Sequence, residues 1–334
     1  MTSSWYFLSD LHLDDRPGPG DDAARALPGF LDSLTCTDEP THLVLLGDSF
    51  ELAAVPGDAV PRLDRIARRH PAVVLALRRC LAAGVQVHVV AGNHDLELVR
   101  AHQRARLTRL LGATNLHLHP WCLFVPGLFY AEHGHQHHDL NRSPRMVAAG
   151  QLPPTPLAAW AGSAHGPLPV LRALAAATSE ERRARRPDHL TALREVAAGA
   201  GLPAGSAAAL HEVSRTRPGR TTVRLARRAA ARARGREDHD DYLRRAAVRI
   251  DDVLGRYGAA PPYYVFGHTH TPVVRGLPQT QSLYANPGTW TTVPAGAGFP
   301  YVRVTQAQEG AVLRLLLHPR RPTPARPRRA AEVH

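Results

Sequence analysis

Carboxylate, imidazole and carboxamide side chains recur in five short segments of the chain, each of which follows an apolar run. The segments are Asp10-Leu-His12, Gly47-Asp48, Gly92-Asn93-His94-Asp95, His133-Gly134-His135 and Gly267-His268-Thr269-His270. Oxygen and nitrogen donors without sulfur suit Mn, Fe, Zn or Co rather than a metal that thiolates select. A pair of such divalent ions is what the splitting of a phosphate ester requires. Together, the five segments predict an enzyme with a metal centre.

The first three segments follow predicted strands that alternate with predicted helices. Apolar runs and helical periodicity predict strands over Trp5–Ser9, His42–Leu46 and Val85–Ala91, and helices over Asp21–Leu34 and Arg62–Ala83. Pro28 and Pro71 must interrupt or bend those helices. This βαβαβ pattern predicts parallel strands with right-handed crossovers. Because open α/β sheets gather their ligand-binding loops at the carboxyl ends of the strands, we expect the segments to meet at one edge.

Further strands and a helical region are predicted along the rest of the chain. The strands cover Leu116–His119, Trp121–Val125, Leu128–Glu132, Tyr263–Phe266, Ser282–Ala285, Tyr301–Thr305 and Val312–Leu317. Residues 143–257 are rich in Ala, Leu and Arg, and Arg220–Tyr257 has the pattern of a long helix or of a helix pair broken near Gly235. We interpret residues 1–142 and 258–318 as a catalytic core and residues 143–257 as a helical insertion or cap. Residues 319–334 are expected to be a disordered tail.

The composition excludes several classes of protein. Hydrophobic residues make up 44% of the 334 residues, but no apolar run approaches the length that spans a bilayer. We expect no secretion signal, because Trp5 and its neighbours run into the first segment without a basic region. Cys36, Cys80 and Cys122 are scattered, which favours buried thiols in a reducing compartment over disulfides. We therefore expect a soluble, cytoplasmic protein.

The chain is strongly basic, with a net charge of +12 and only arginine as its basic residue apart from histidine. This excess attracts phosphates, nucleotides, anionic lipid surfaces and nucleic acid without choosing among them. Arginine runs at 182–186 and 227–234 are ordinarily solvated helix faces, and the alternative is a contact with a substrate phosphate or with anionic lipid. Nucleic acid is the less favoured partner, because aromatic residues suited to base stacking make up only 6% of the chain.

In their order and wording, the five segments resemble the calcineurin-like metallophosphoesterases, over residues 4–140 and 260–317. The resemblance implies a four-layer αββα sandwich with two divalent metal ions at one edge, for which we favour Mn²⁺. It implies that one ion is held by Asp10, His12, Asp48 and His270, and that the other is held by Asp48, Asn93, His133 and His268. Asp48 would bridge the ions, and a bridging water would be a hydroxide near neutral pH.

Two more residues are implied in catalysis rather than in metal binding. His94 is placed to contact a phosphate oxygen or to protonate the leaving alcohol, and Asp95 is expected to orient the His94 ring. The imidazole of the fourth segment must be chosen from His133, His135, His137 and His138. We favour His133 because it directly ends a predicted strand.

Polar residues beside the segments have weaker assignments. His135, Asp139 and Asn141 are candidates for substrate contact, with an ordinary polar loop as the alternative. The turn Asn286-Pro287-Gly288-Thr289-Trp290 is expected to be scaffolding. His117, His119, His211 and His239 are expected to be structural.

Within the family, the chain is most similar to the UDP-2,3-diacylglucosamine pyrophosphatases. The similarity lies in Asp10-Leu-His12-Leu, in Gly47-Asp48-Ser49-Phe50-Glu51 and in the expected helical cap. The chain departs from those enzymes at His94, where they usually have Arg, and at His135, where they usually have Asp. We therefore predict a dinuclear phosphoesterase acting on a phosphate ester or a pyrophosphate in a small molecule, nucleotide or glycolipid. The alternatives are a nuclease or nucleic-acid-binding protein of the same superfamily, and a metal-binding scaffold without turnover.

Overall fold

The structure is a computed structural model that describes residues 2–52, 62–112, 114–137, 241–278, 280–294 and 296–320. The chain divides into two compact units, one formed by Met1–Arg142 with Ala259–His334 and the other by Ser143–Gly258. Most of the predicted cap and nearly all of the predicted tail lie outside the described residues, so both stay predictions. Asp139 and Asn141 lie outside the described residues as well.

Strands and helices alternate through the first third of the chain, as the sequence predicts. In the described residues the strands are β1 (Ser3–Leu8), β2 (Thr41–Leu46), β3 (Gln86–Val90), β4 (Leu116–His119), β5 (Cys122–Val125), β6 (Phe129–Glu132), β7 (Tyr263–Phe266), β8 (Val273–Gly276), β9 (Leu283–Asn286), β10 (Phe299–Ala307) and β11 (Gly310–His318). The α-helices there are α1 (Gly20–Leu34), α2 (Arg62–Arg69), α3 (Pro71–Ala82), α4 (Ala101–Leu111) and α5 (Asp241–Gly255). Short 3₁₀ turns cover Leu96–Val99 and His135–His137.

The two prolines in the predicted helices act differently. Pro71 separates α2 from α3 and opens α3, where a missing N–H is harmless. Pro28 lies inside α1, which continues through it. Two elements, α4 and β8, have no counterpart in the predictions. The reason is that α4 buries only Leu107 and Leu111, and that β8 is a short edge strand with no fully buried residue.

The strands form two mixed sheets. The six-stranded sheet has the order β11-β10-β1-β2-β3-β4, in which β1 to β4 are parallel. The five-stranded sheet has the order β5-β6-β7-β9-β8, in which β6, β7 and β9 are parallel. The predicted α/β class with two sheets is confirmed, as are the parallel strands that the βαβαβ pattern predicts.

Side chains alternate between the two faces of the six-stranded sheet, so each face has its own core. On one face, Leu43 and Leu45 of β2 join a buried cluster with residues of α1, α3 and α4 such as Phe30 and Leu77. On the other face, Phe7 joins a cluster with residues of the five-stranded sheet such as Phe129, and their rings meet edge to face with centroids 5.0 Å apart. This arrangement covers β1, β2 and β3 on both faces and leaves their carboxyl ends free to carry the site.

α5 belongs to the second unit and is the part of the predicted helical region that the structure describes. The sequence pattern predicts one face made of Tyr242, Ala246, Ile250, Val253 and Tyr257. Ala246, Ile250 and Val253 are buried, as that pattern predicts, whereas Tyr257 lies beyond the helix and is exposed. No helix in the described ranges combines the length and the apolar character needed to cross a membrane.

Candidate metal centre

Five of the predicted ligands have a backbone conformation that side chains of L-residues rarely adopt. Among the described residues, the only positive φ angles outside glycine are 55° at Asp10, 47° at His12, 51° at Asp48, 70° at His268 and 63° at His270. Left-handed backbone of this kind costs free energy and concentrates at functional sites. The strain at the ends of β1, β2 and β7 therefore coincides with the residues that the sequence singles out.

The glycines of the segments are required because the ligands approach their backbone closely. A Cβ at Gly92 would lie 2.2 Å from Asp48 Oδ1, and a Cβ at Gly47 would lie 2.4 Å from the His133 ring. A Cβ at Gly267 would lie 2.0 Å from Ser9 Oγ and 3.1 Å from Asp10 Oδ2. No side chain fits at these three positions without displacing a predicted ligand or its neighbour.

Backbone hydrogen bonds join the loops of the segments to one another. The amide of His94 donates to Asp48 Oδ1 at 2.8 Å, and the amide of His268 donates to Asp10 Oδ2 at 3.0 Å. The amide of His12 donates to the carbonyl oxygen of Asp48 at 2.9 Å. Each carboxylate thus has one oxygen fixed by the backbone of a different loop, which leaves its second oxygen for another partner.

The donor atoms of six predicted ligands, together with His94, fall into three overlapping groups. The groups are Asp10 with His12 and His270, His12 with Asp48 and His94, and Asp48 with His133 and His268; in each, the donor atoms lie within 4.8 Å of one another. His270 Nε2 lies 3.0 Å from Asp10 Oδ1, and His133 Nε2 lies 3.2 Å from Asp48 Oδ2. The first group contains three residues of one implied ligand set, and the third group contains three residues of the other. The second group joins them, because it shares His12 with the first group and Asp48 with the third.

Asn93 completes the set through its carboxamide. Its Oδ1 is buried and, within the described ranges, has no hydrogen-bond partner. A buried acceptor without a partner is costly unless an ion or a water satisfies it. The orphaned oxygen lies in a segment whose neighbours already contact Asp48, so it fits a cation at this position.

The charges of the site also fit a cation. Asp10 and Asp48 are 0% and 2% exposed, and their ion-pair partners in the described part of the chain are all histidines. Burial alone would raise the pKa of both carboxyls, but His133 and its neighbours outweigh burial and hold each pKa below its usual value. Buried carboxylates that face only imidazoles are typical of a metal site rather than of a salt-bridge network.

The histidines of the site include one that favours a proton and one that favours the neutral ligand form. Burial lowers the pKa of His133, but Asp48 and Asp10 outweigh burial and raise that pKa to about 10. At His268 burial dominates and lowers the pKa to about 2. A divalent cation would replace the proton on His133, because metals bind the neutral imidazole.

Glu51 orients two of the histidines and has no assigned role in the sequence analysis. Its Oε1 lies 2.6 Å from His12 Nδ1, and its Oε2 lies 2.9 Å from His94 Nδ1. Each ring therefore donates its Nδ1–H to Glu51 and turns Nε2 toward the other ligands, as metal-binding histidines with a carboxylate partner do. The signal that could have found Glu51 is its position in the second segment, three residues after Asp48.

Asp95 corrects one prediction, since it does not contact the His94 ring. Its Oδ2 accepts from the amide of Ser49 at 2.8 Å, and its Oδ1 accepts from the amide of Gly92 at 2.7 Å. Burial, with Asp48 nearby, raises the pKa of Asp95 to about 6. Asp95 ties the loop after β2 to the loop after β3, and the carboxylate that orients His94 is Glu51.

Of the described histidines in the fourth segment, His133 is the one that meets Asp48. Its Nδ1–H donates to the carbonyl oxygen of Leu46 at 2.9 Å, which leaves Nε2 for Asp48. His135 is buried with its ring centroid 5.5 Å from that of His133, and its Nε2 meets Gln136. His137 contacts the buried Glu132. His138 lies outside the described residues.

The turn after β9 holds the last segment in place, as its expected scaffolding role requires. The buried Asn286 donates through Nδ2 to the carbonyl oxygen of Gly267 at 2.8 Å and contacts Thr269 Oγ1 at 2.9 Å. The Thr289 hydroxyl donates to the carbonyl oxygen of Asp10 at 2.7 Å. The contacts of Asn286 hold the loop from which His268 and His270 project, and the contact of Thr289 holds the backbone of Asp10.

An α/β sheet edge that collects buried carboxylates, imidazoles and an unpaired carboxamide defines the class of metal-dependent hydrolases. The family model described as calcineurin-like phosphoesterase matches residues 5–272. The chain belongs to the calcineurin-like phosphoesterase family and is a hydrolase that acts on phosphoester bonds.

Comparison with known structures gives distant neighbours. They include a predicted phosphoesterase from Streptococcus pneumoniae TIGR4 (12% identity, 96% of this chain and 94% of that chain covered, TM-score 0.35) and the phosphoesterase Yfce from E. coli (15%, 94% and 98%, 0.33). A third is the phosphopantetheinyl hydrolase of Mycobacterium tuberculosis (14%, 86% and 90%, 0.31). A search of curated proteins finds no match to the chain. These likenesses are too distant to carry an activity over to this chain, so the family rests on the sequence model.

Proposed function

We propose that the chain is a dinuclear, Mn²⁺-dependent phosphoesterase. The observation that carries this proposal is the convergence of donor atoms from separate loops into three groups, of which the second shares His12 with the first and Asp48 with the third. Asp10, His12, Asp48 and His270 would hold one ion, and Asp48, Asn93, His133 and His268 would hold the other. When bound, the ions would supply positive charge for the phosphate oxygens and lower the pKa of a coordinated water.

His94 is the residue of the site best suited to the leaving group. Its side chain is 40% exposed, so a substrate can reach it, and its Nδ1 is occupied by Glu51. The hydrogen bond to Glu51, followed by the nearby charge of Asp48, raises the pKa of His94. The raised pKa favours the protonated form of His94, whose Nε2–H would donate to a phosphate oxygen or to the departing alcohol.

The substrate class is proposed from the charge of the chain and from its family resemblance, and the cellular compartment is proposed from its cysteines. We propose a phosphate ester or a pyrophosphate in a small molecule, nucleotide or glycolipid as the substrate, with the arginine-rich residues 143–257 as the source of selectivity and of any peripheral membrane contact. The resemblance to UDP-2,3-diacylglucosamine pyrophosphatases makes a nucleotide-linked glycolipid one specific candidate. We propose a cytoplasmic location, in keeping with the scattered cysteines.

The test is hydrolysis of an aryl phosphate, an aryl diester, a UDP-sugar and a single-stranded oligonucleotide with Mn²⁺, Zn²⁺ or Mg²⁺. We expect Mn²⁺-dependent turnover of the small substrates. We also expect loss of metal and turnover in Asp48→Asn, and retained metal with at least roughly 100-fold lower kcat in His94→Gln. His102→Gln, on the exposed face of α4, is the matched control and should behave as the parent. Full turnover in Asp48→Asn would contradict the site, and selective cleavage of the oligonucleotide would favour a nuclease.

A further inference from the structure

A second cluster of histidines lies on the inner face of the six-stranded sheet, away from the metal centre. We define the histidine ladder as His42 on β2, His88 on β3, and His117 and His119 on β4. Strand register places His88 directly opposite His117, and Trp5 of β1 directly opposite His42. His88 lies five residues before Asn93 in sequence, a separation of about 16 Å along a strand.

Hydrogen bonds and ring stacking connect the ladder across neighbouring strands. His42 Nδ1 lies 3.2 Å from His88 Nε2, and His88 Nδ1 lies 3.1 Å from His119 Nε2. Both ring nitrogens of His88 are thus used, and each shared pair holds one hydrogen when the rings are neutral. His117 stacks on His88 with centroids 4.8 Å apart, and Trp5 stacks on His42 at 3.6 Å.

The ladder lies at the seam between the two sheets. Trp5, which begins the row, also meets Phe129 of the five-stranded sheet edge to face, with centroids 5.0 Å apart. His88 and His119 are only 8% and 5% exposed, whereas His42 and His117 are half-buried. His119 Nδ1 is buried and has no hydrogen-bond partner among the described residues.

The ladder does not have the geometry of a metal site. In the described part of the chain, no three of its ring nitrogens converge within 4.8 Å, in contrast to the groups at the sheet edge. The 3.1 and 3.2 Å separations of its nitrogen pairs are ordinary hydrogen bonds. A resident cation therefore does not explain why four imidazoles share this face.

No carboxylate compensates the ladder either. The histidines of the metal centre pair with carboxylates, for example His12 with Glu51 and His270 with Asp10. Trp5 of β1 stacks on His42, Phe129 of β6 contacts Trp5, and neither side chain titrates. Within the described ranges, the only charges that shift the pKa values of the ladder imidazoles come from one another. A proton added to the ladder therefore meets burial and the repulsion of its neighbours without a counter-charge.

We propose that the histidine ladder is a built-in acid switch: it stabilises the seam between the two sheets while neutral and releases that seam when protonated. Burial first, and the neighbouring imidazoles second, lower the pKa of His42 and of His119 to about 4 and that of His88 to about 2. Burial alone lowers the pKa of His117. Since an unfolded chain protonates its histidines near pH 6.5, the folded state loses stability as pH falls from 6.5 to about 4.

The size of the effect follows from proton linkage. Between pH 7 and pH 5, each ladder histidine that stays neutral in the folded state lowers the ratio of folded to unfolded chain by roughly 20-fold. The titrations of the metal centre are present in wild type and in ladder variants alike. A difference between wild type and a ladder variant therefore isolates the ladder.

The test is urea unfolding by circular dichroism at pH 5, 6 and 7. His88→Gln keeps an amide that can bond to one neighbour but cannot take a proton. Between pH 7 and pH 5, we therefore expect the ratio of folded to unfolded chain to fall by roughly 20-fold less in His88→Gln than in wild type. His42→Gln, at the half-buried end, serves if His88→Gln does not fold, and His102→Gln is the exposed control with wild-type pH dependence. Proton NMR of the imidazoles should show signals of His42, His88 and His119 that do not titrate above pH 5.

Two results would overturn the proposal. One is a His88→Gln or His42→Gln variant whose stability falls between pH 7 and pH 5 as steeply as that of wild type. The other is a set of ladder imidazole signals that titrate near pH 6.5, because such histidines would be as easily protonated in the folded state as in the unfolded chain.

Discussion

Replacing Glu51 by Gln tests how the site orients its histidines. Gln has the size of Glu but no charge, and its amide can accept from only one of the two imidazoles that Glu51 now contacts at 2.6 and 2.9 Å. A hydrogen bond to a charged group contributes about 1.5 to 3 kcal/mol, against about 1 kcal/mol for a neutral one. We therefore expect Glu51→Gln to lower kcat by roughly 10- to 100-fold.

The pH profile separates this orienting role from a general loss of structure. The hydrogen bond that His94 donates to Glu51 is the largest contribution that raises the pKa of His94. Burial would raise the pKa of Glu51, but the hydrogen bonds that it accepts from the two histidines lower that pKa to about 2. Glu51 thus stays ionised through the working range, and the loss of activity at high pH reports His94 giving up its proton. In Glu51→Gln the pKa of His94 falls, so that loss must begin at a lower pH.

The assay is the pH dependence of kcat for an aryl phosphate, with metal content measured in parallel. Glu97→Gln is the matched control, because Glu97 forms a surface pair with Arg100 at 2.8 Å and lies outside the site. Glu51→Asp should fall between the parent and Glu51→Gln, since it keeps the charge on a shorter side chain. Unchanged kcat and an unchanged high-pH limb in Glu51→Gln would refute the reasoning.

Three further changes probe the site and its support. Gly92→Ala should lose metal and activity, because its Cβ would lie 2.2 Å from Asp48 Oδ1. Gly276→Ala is the control and should keep both, since no atom lies within 4 Å of a Cβ at that position. The measurement is atomic absorption of the purified variants, and metal retained by Gly92→Ala would contradict the close approach. Asn286→Ala should lower the free energy of unfolding by about 2 to 4 kcal/mol, because it removes three hydrogen bonds, two to backbone groups and one to a hydroxyl. Urea unfolding equal to that of the parent would contradict this role. A thiol reagent at pH 8 should modify Cys36 alone in the folded chain, because Cys36 is exposed and burial raises the pKa of Cys80 and of Cys122 to about 12. Mass spectrometry should find one label, and two or three labels would contradict the burial of Cys80 and Cys122.

Local sequence patterns predicted well where the strands lie along the chain. Strands β4 and β7 have the predicted bounds, and the other predicted strands differ from theirs by one or two residues. The reason is that each combines an apolar run with a turn residue at its end, a signal that sequence carries locally. The element α4 lacks such a signal, because only two of its residues, Leu107 and Leu111, are buried.

The site could be predicted as a set of residue types but not as a geometry. The segments name the ligands, whereas the positive φ angles at Asp10 and Asp48 arise only when separate strands bring their ends together. The assignment of Asp95 to the His94 ring failed because sequence proximity favoured it, while the fold turns Asp95 inward to backbone amides and presents Glu51 instead. Side-chain direction in a loop depends on long-range contacts.

The histidine ladder shows the same limit in a different form. His42, His88 and His119 lie on separate predicted strands, and each looks like an isolated imidazole in its own strand. Only the register of the parallel pairs places them on one face and in contact. If the order of the strands in the sheet had been known, the alternation of side chains between the two faces would have been enough to place these histidines together.

Anomalous diffraction from crystals grown with Mn²⁺ tests the central claim most directly. The account predicts two anomalous peaks about 3.5 to 4 Å apart, with Asp48 between them, Asp10 and His270 on one and Asn93 and His268 on the other. A single peak, or none, at the ends of β1, β2 and β3 in crystals saturated with the metal would contradict it.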